Sequence, residues 1–282
     1  MRLRDLRRRK GGTIDRRGGG GGGAGLGGMA AGGGGLLLVI VVLVVTTLFG
    51  GDGGVELPDG GAGAAPAGDD ATRRFVDAVI DDIQTTWDEE FDRTGRTYRD
   101  TSVVLFDGAV SSGCGRATSA VGPFYCPLDE LVYLDVSFFR ELERRFGAAG
   151  DFAEAYVIAH EVGHHVQHLL GTEQEVREAS SRDPAVTNEM SIRLELQADC
   201  YAGFWGRAAD AEGILQPGDL EEGLGAAAAI GDDRIQASVQ GRVNPETWTH
   251  GSSALRERWF RTGFQVGNPD ACDTFALPFA EL

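Results

Sequence analysis

The clearest pattern along the chain is helical. Phe75, Val76, Val79, Ile80, Ile83, Trp87 and Phe91 recur at three- and four-residue steps, which predicts an amphipathic helix where the folded part opens near Ala71. Val103, Val104, Leu105 and Phe106, then Leu131, Val132, Tyr133 and Leu134, are short apolar runs and read as two strands. The Gly- and Ser-rich residues 107–120 between them read as loop. Phe138, Phe139, Leu142 and Phe146 mark another helix. The segment DFAEAYVIAHEVGHHVQHLL, 151–170, should be helical throughout, with Asp151 as N-cap, Glu154 as its capping partner and Gly171 as the stop. A polar stretch ends a helix at Pro184, and further helices cover about 187–209 and 219–230. There is no repeat and no second boundary. The expected class is α+β, mainly helical, with a small early sheet.

A different pattern precedes this domain. Residues 18–51 carry no charged side chain, and their centre, LLLVIVVLVVTTLF, is wholly apolar apart from two threonines. That centre is short of the roughly 20 residues needed to cross a bilayer, but the preceding Gly- and Ala-rich stretch with Met29, Ala30 and Ala31 makes up the length. Residues 1–17 hold eight basic and two acidic side chains, and 52–70 are mostly Gly, Ala, Pro and Asp. The expectation is a basic cytoplasmic N-terminus over 1–17 and a glycine-rich segment with one transmembrane helix over 18–51. A flexible linker over 52–70 and an extracytoplasmic domain over 71–282 would follow. A cleaved signal peptide and a buried helix are the alternatives, though no A-x-A site follows directly.

The chain's formal charge is −17, and with a leader of +6 the rest carries −23. So acidic a body excludes a nucleic-acid surface, and no phosphate-binding or dinucleotide fingerprint is present. Four cysteines in an exported domain suggest two disulfides, with three possible pairings. Cys114 and Cys126 enclose a short loop, which would leave Cys200 with Cys272. Free buried thiols are the alternative, and the close C-x2-C pairs of a cysteine metal site are missing.

The chemistry concentrates in one helix. His160, Glu161 and His164 form H-E-x-x-H, and four of the five histidines lie between 160 and 168. Residues four apart share a helix face, so two imidazoles can grip one ion while Glu161 stands beside it as a base. His165 must point about 100° from His164 and reads as a surface or supporting residue. His168 lies about 12 Å along the axis from His160, too far to join the same ion. The longer histidine-only pattern fails, because Gln167 and Leu170 replace its glycine and third histidine. A catalytic zinc wants three protein ligands and an open position. The best third donor is Glu195, with Asp199 one turn on to hold the far nitrogen of His160 or His164. Glu189 and Glu175 are the reserve donors, and a solvated charged face is the bland reading.

Glu195-Leu196-Gln197-Ala198-Asp199 resembles the E-x-x-A-D element of the gluzincin metallopeptidases. The body as a whole is similar to the bacterial family described as putative neutral zinc metallopeptidases. The strings that carry this are GPFYCP from Gly122, YLD from Tyr133, HEVGHHVQ from His160, ELQADCYAG from Glu195, IGDD from Ile230 and THGSSALRERWF from Thr249. The resemblance covers about 69–275. It implies a zincin-like metallopeptidase domain, Zn2+ as cofactor, Glu195 as third ligand, Asp199 as the residue orienting a histidine, and one membrane span ahead of the domain. His250 is a candidate to steady a developing oxyanion, with Tyr201 behind it. Arg256 and Arg258 could meet a peptide carboxylate or balance the acidic body. The expected function is a membrane-anchored zinc metallopeptidase acting on a peptide or protein outside the cytoplasm, with Glu161 as general base. The alternatives are a zinc-binding scaffold without turnover and a zinc amidase acting on cell-wall peptides.

Overall fold

The computed structural model describes residues 1–7, 12–17 and 68–282. Helix α1, Gly68–Arg93, buries Val76, Val79, Ile80, Ile83, Trp87 and Phe91, the stripe its periodicity marks. It packs on a four-stranded sheet in the order β1-β2-β6-β5, built from Thr13–Asp15, Ser102–Phe106, Leu131–Asp135 and Phe124–Cys126. β1, β2 and β6 are mutually parallel, and β5 is antiparallel at the edge. β2 and β6 are apolar without alternation because both faces are covered. Val103, Leu105, Val132 and Leu134 face the helices, while Val104, Phe106 and Tyr133 face a second, smaller cluster.

That second cluster depends on a segment expected to be loop. Residues 107–120 contain the hairpin β3, Ala109–Ser112, with β4, Gly115–Thr118, whose Val110 and Ala117 cover the far face of the sheet. A disulfide between Cys114 and Cys126 ties the hairpin to β5, and a second joins Cys200 to Cys272.

Seven further helices follow among the described residues. They are α2 (Phe138–Phe146), α3 (Asp151–Leu170), α4 (Thr172–Arg182), α5 (Thr187–Ala211), α6 (Asp219–Ala229), α7 (Asp232–Gln240) and α8 (Ser253–Val266). α3 is the central one, with fourteen of its residues buried, because other elements surround it nearly all round. Its N-cap is Gly150 rather than Asp151, and the side chain that serves its first turn is Glu222, which accepts from the Phe152 N–H at 3.2 Å. The Asp151 carboxylate instead accepts from the Met1 ammonium at 2.8 Å, which Asp219 also approaches.

This contact belongs to the main correction. The first 17 residues were expected on the opposite side of a membrane from the domain. Instead, Thr13–Asp15 hydrogen-bonds along β2, and the Arg7 backbone and guanidinium both donate to buried Asp82, which also accepts from Trp205 Nε1 at 2.8 Å. A segment that supplies a strand and a buried ion pair to the domain lies on the domain's side. Among the described residues no helix is long and apolar enough to cross a membrane. The span expected within 18–51, and the expected linker up to residue 67, lie outside the described residues, and α1 already includes 68–70. The single-pass topology, its membrane partner and its assignment of cytoplasmic and extracytoplasmic sides are therefore withdrawn.

Candidate metal centre

α3 and α5 cross where Gly163 meets Ala198. A Cβ on Gly163 would stand 3.1 Å from both the Cα and the carbonyl oxygen of Ala198, so glycine sets the closeness of the crossing. That closeness brings Glu195 to the two imidazoles. Its carboxylate oxygens lie 3.2 Å from His160 Nε2 and 3.5 Å from His164 Nε2, and the three donor atoms fall within 4.8 Å of one another. Each histidine turns its other nitrogen to an acceptor. His160 Nδ1 meets Asp199 Oδ1 at 2.9 Å, and His164 Nδ1 meets Gln167 Oε1 at 2.9 Å. Gln167 is oriented in turn, because its amide nitrogen donates to the Leu194 carbonyl at 2.8 Å and to Gln197 Oε1. With both Nδ1 protons committed, two Nε2 lone pairs and a carboxylate converge on one point. Three acceptors facing each other fit a cation, and nitrogen–oxygen donors of this kind suit zinc.

The electrostatics follow from burial and charge. Burial opposes the charged form of His160, but Asp199 and Glu195 outweigh it and raise the imidazole to about 9. Cation uptake at Nε2 is thus coupled to release of a proton. Burial likewise opposes ionisation of Glu195, yet His164, His250 and His160 hold it well below the usual carboxylate range. Arg256 and His160 do the same for Asp199 against its burial. Glu161 goes the other way: burial raises it, with His160 and His164 only partly compensating, and a raised carboxyl is a stronger base.

The facing wall is built around Asp232, the first residue of α7. Its Oδ2 accepts from the backbone N–H groups of Thr249, His250 and Gly251 at 2.7–3.0 Å, and its Oδ1 meets His250 Nδ1 at 3.0 Å. Burial resists charging of His250, but Asp232 and Glu195 raise its pKa above the ordinary value. A cavity of about 270 Å³ joins this wall to the three donors and to Glu161. Its other lining is largely apolar, with Pro123 and Phe124 from the edge strand side, Phe138 from α2, Ile230 and Ile235 opposite, and Glu173 with Arg177.

The remaining candidates fall elsewhere. Glu189 is bound to Arg193, Glu175 is exposed, and neither reaches the centre. His168 pairs with Glu173 at 3.0 Å. Tyr201 packs edge-on against Trp87, and Arg258 donates to the carbonyls of Glu281 and Leu282. Arg256 is 2% exposed and its guanidinium is paired with Asp199. Gln167 and Asp232 were not assigned roles from sequence. Gln167 had a signal, standing three residues after His164 on the same face. Asp232 had none beyond its place in a family string.

His165, expected to be a surface or supporting residue, is fully buried because α3 is enclosed on that side too. Its Nε2 donates to the Arg99 carbonyl at 2.6 Å and its Nδ1 accepts from the Tyr125 hydroxyl at 3.0 Å. Burial outweighs the Arg99 hydrogen bond and lowers its pKa to about 4. Between an unfolded value near 6.5 and this folded one, only the unfolded chain takes the proton. The contribution to stability is therefore complete above pH 6.5 and is lost as pH falls towards 4, by about 3 kcal/mol. Urea unfolding at pH 7 and pH 4 should show this loss in the parent and a clearly smaller one in His165→Gln. Equal losses would contradict it.

An H-E-x-x-H helix crossed by a second helix, whose glutamate meets both imidazoles, defines a zincin-like domain. The comparisons with known proteins agree: the profile of the family described as "Putative neutral zinc metallopeptidase" matches residues 1–275, and the chain belongs to that family. Protein YpfJ of Escherichia coli K12 is 48% identical over 208 residues, which are 73% of this chain and 72% of YpfJ. Protein Rv2575 of Mycobacterium tuberculosis H37Rv is 49% identical over 183 residues, 61% of each chain. No solved structure matches.

Proposed function

We propose that the protein is a zinc-dependent metallopeptidase that hydrolyses peptide bonds, with His160, His164 and Glu195 as the metal ligands and Glu161 as general base. The observation that carries this is the convergence of two Nε2 atoms and a carboxylate at the edge of an open cavity, with Glu161 beside them. Zinc held there supplies a Lewis acid that polarises a peptide carbonyl and acidifies water. Glu161 takes the proton from the attacking water and passes it to the departing amine. Asp199 and Gln167 keep the ligand imidazoles in the tautomer that presents Nε2. His250, whose protonated form Asp232 and Glu195 favour against burial, is the donor placed to meet the carbonyl oxygen that gains charge.

β5 is an edge strand and lines the cavity, so an extended peptide can hydrogen-bond along it. The apolar walls then favour apolar side chains next to the scissile bond. A zinc scaffold would use the same ligands but has no need of Glu161 or of an open cleft.

The test is turnover of an unstructured protein substrate alongside elemental analysis of zinc. Cleavage should vanish after chelation and return on adding zinc. His250→Ala should lower kcat by about 10²-fold with KM little changed, the scale for losing one oxyanion donor. A protein that holds one zinc and cuts no peptide or cell-wall amide would sink the enzyme reading in favour of the scaffold.

A further inference from the structure

We propose that Arg256 is a positioning residue of the metal centre, clamping the carboxylates on either side of His160 so that the ligands stand in binding geometry before the cation arrives. The inference rests on the ligand set proposed above. Arg256 Nε donates to Asp199 Oδ2 at 2.8 Å and Nη2 donates to Asp199 Oδ1 at 2.9 Å, a two-pronged pairing that fixes the plane of the carboxylate. The same Nη2 lies 3.8 Å from Glu195 Oε2, so one guanidinium spans the partner of His160 Nδ1 and the neighbour of His160 Nε2. It stands 3.3 and 3.4 Å from the two ring nitrogens, nearly equidistant, and so rests against the imidazole without taking the Nε2 lone pair for itself. The Tyr156 hydroxyl completes the set, donating to Asp199 Oδ1 at 2.5 Å, and Nη1 is tied off on the Ile230 carbonyl.

The fold places this arginine with little freedom. α8 begins at the Ser252 cap, whose hydroxyl accepts from Leu255 N, and Asp233 accepts from both the backbone and the hydroxyl of Ser253. Further along, α8 is pressed onto α5 backbone to backbone. A Cβ on Gly203 would stand 2.0 Å from the Phe260 carbonyl oxygen, and one on Gly263 would stand 1.9 Å from that of Cys200. Arg256 is two turns before Gly263 and Asp199 one turn before Gly203, so both face the same contact. The Cys200–Cys272 disulfide closes its other side.

Two effects of this cation on metal binding oppose each other. A guanidinium next to the site repels an arriving divalent ion. It also neutralises Asp199 and holds Asp199 and Glu195 where His160 needs them, among three buried or half-buried carboxylates that repel one another. Removing a carboxylate that orients a ligand histidine costs about 10–100-fold in metal affinity, and loss of the group that fixes that carboxylate should fall in the same range. The signs differ: a positioning role predicts weaker binding without Arg256, and simple repulsion predicts tighter binding.

The experiment uses the full chain and the variants Arg256→Lys and Arg256→Met. Zinc affinity is read by competition with a chromophoric chelator, the ligand field by the absorption bands of the cobalt-substituted protein, and folding by circular dichroism of the metal-free protein. The lysine variant keeps the charge but loses the fork, and should bind zinc about 10-fold more weakly with altered cobalt bands. The methionine variant should lose about 10–100-fold. Unchanged or tighter binding with unchanged cobalt bands in folded variants would overturn the inference while leaving the ligand set intact. Failure of both variants to fold would also overturn it, making Arg256 a residue of the fold alone. A parent chain that takes up neither metal would remove the centre itself, and this role with it.

Discussion

Replacing Glu161 with glutamine is expected to leave one zinc bound per chain and to lower peptide hydrolysis by about 10²–10⁴-fold, the scale of acid–base catalysis. The substitution keeps the size and hydrogen-bonding capacity of the side chain. It removes a group beside the three donors that can accept a proton without being a ligand. Burial raises the Glu161 carboxyl, so the parent's activity should fall as pH drops through that raised value, while the variant's residual activity should not share that limb. Elemental analysis and turnover on the same preparation check both halves. A glutamine variant that cleaves as fast as the parent would refute the hydrolytic mechanism.

Glu195→Ala should act on the metal instead. The carboxylate stands 3.2 and 3.5 Å from the two Nε2 atoms, and without it two of the three proposed ligands remain. Zinc affinity should fall by more than about 100-fold, beyond what loss of an orienting partner costs. A second consequence follows from charge. The parent holds Glu195 ionised against burial through His164, His250 and His160, so its removal takes away an anion that each of them faces. Full zinc content and full activity in this variant would refute the third-ligand assignment. Neither Glu189 nor Glu175 stands ready to replace it, since Glu189 is bound to Arg193 and Glu175 is exposed.

The parts of the fold visible in the sequence were those with a long apolar period. α1, α3 and α5 announce themselves by spacing, and the two strands that proved to be β2 and β6 by short unbroken apolar runs. β1 could not be seen, because Thr13-Ile14-Asp15 offers one apolar residue among charges and pairs with a strand far along the chain. The β3–β4 hairpin was hidden for a related reason: only Val110 and Ala117 bury, in a run that otherwise reads as loop. The membrane reading failed because a basic leader and an apolar run are compositional signals, and neither reports that Arg7 and Met1 are bound to the domain. In the centre, helical spacing was enough to put His160 with His164 on one helix face and Glu195 with Asp199 on another, but not to show that the two faces meet. It could not find Asp232 or the pairing of Arg256 with Asp199, since such polar contacts join distant segments and leave no period. His165 shows the limit of reasoning from one helix, because a residue turned away from the site is exposed only if nothing packs on that side.

The β1–β2 pairing bears on the order in which the molecule assembles. β1 is made before β2, and Val103, Val104 and Leu105, its register partners, emerge only after the whole intervening chain. α1, β2, β6 and α3 can meet through much shorter chain closures, and contacts of small separation form first. The leader should thus dock onto a sheet already formed, with Asp82 and Asp151 as waiting anionic anchors. A strand that joins last at an edge is also the one whose release disturbs least, so the N-terminal arm should open locally while α3 and α5 keep the metal centre closed.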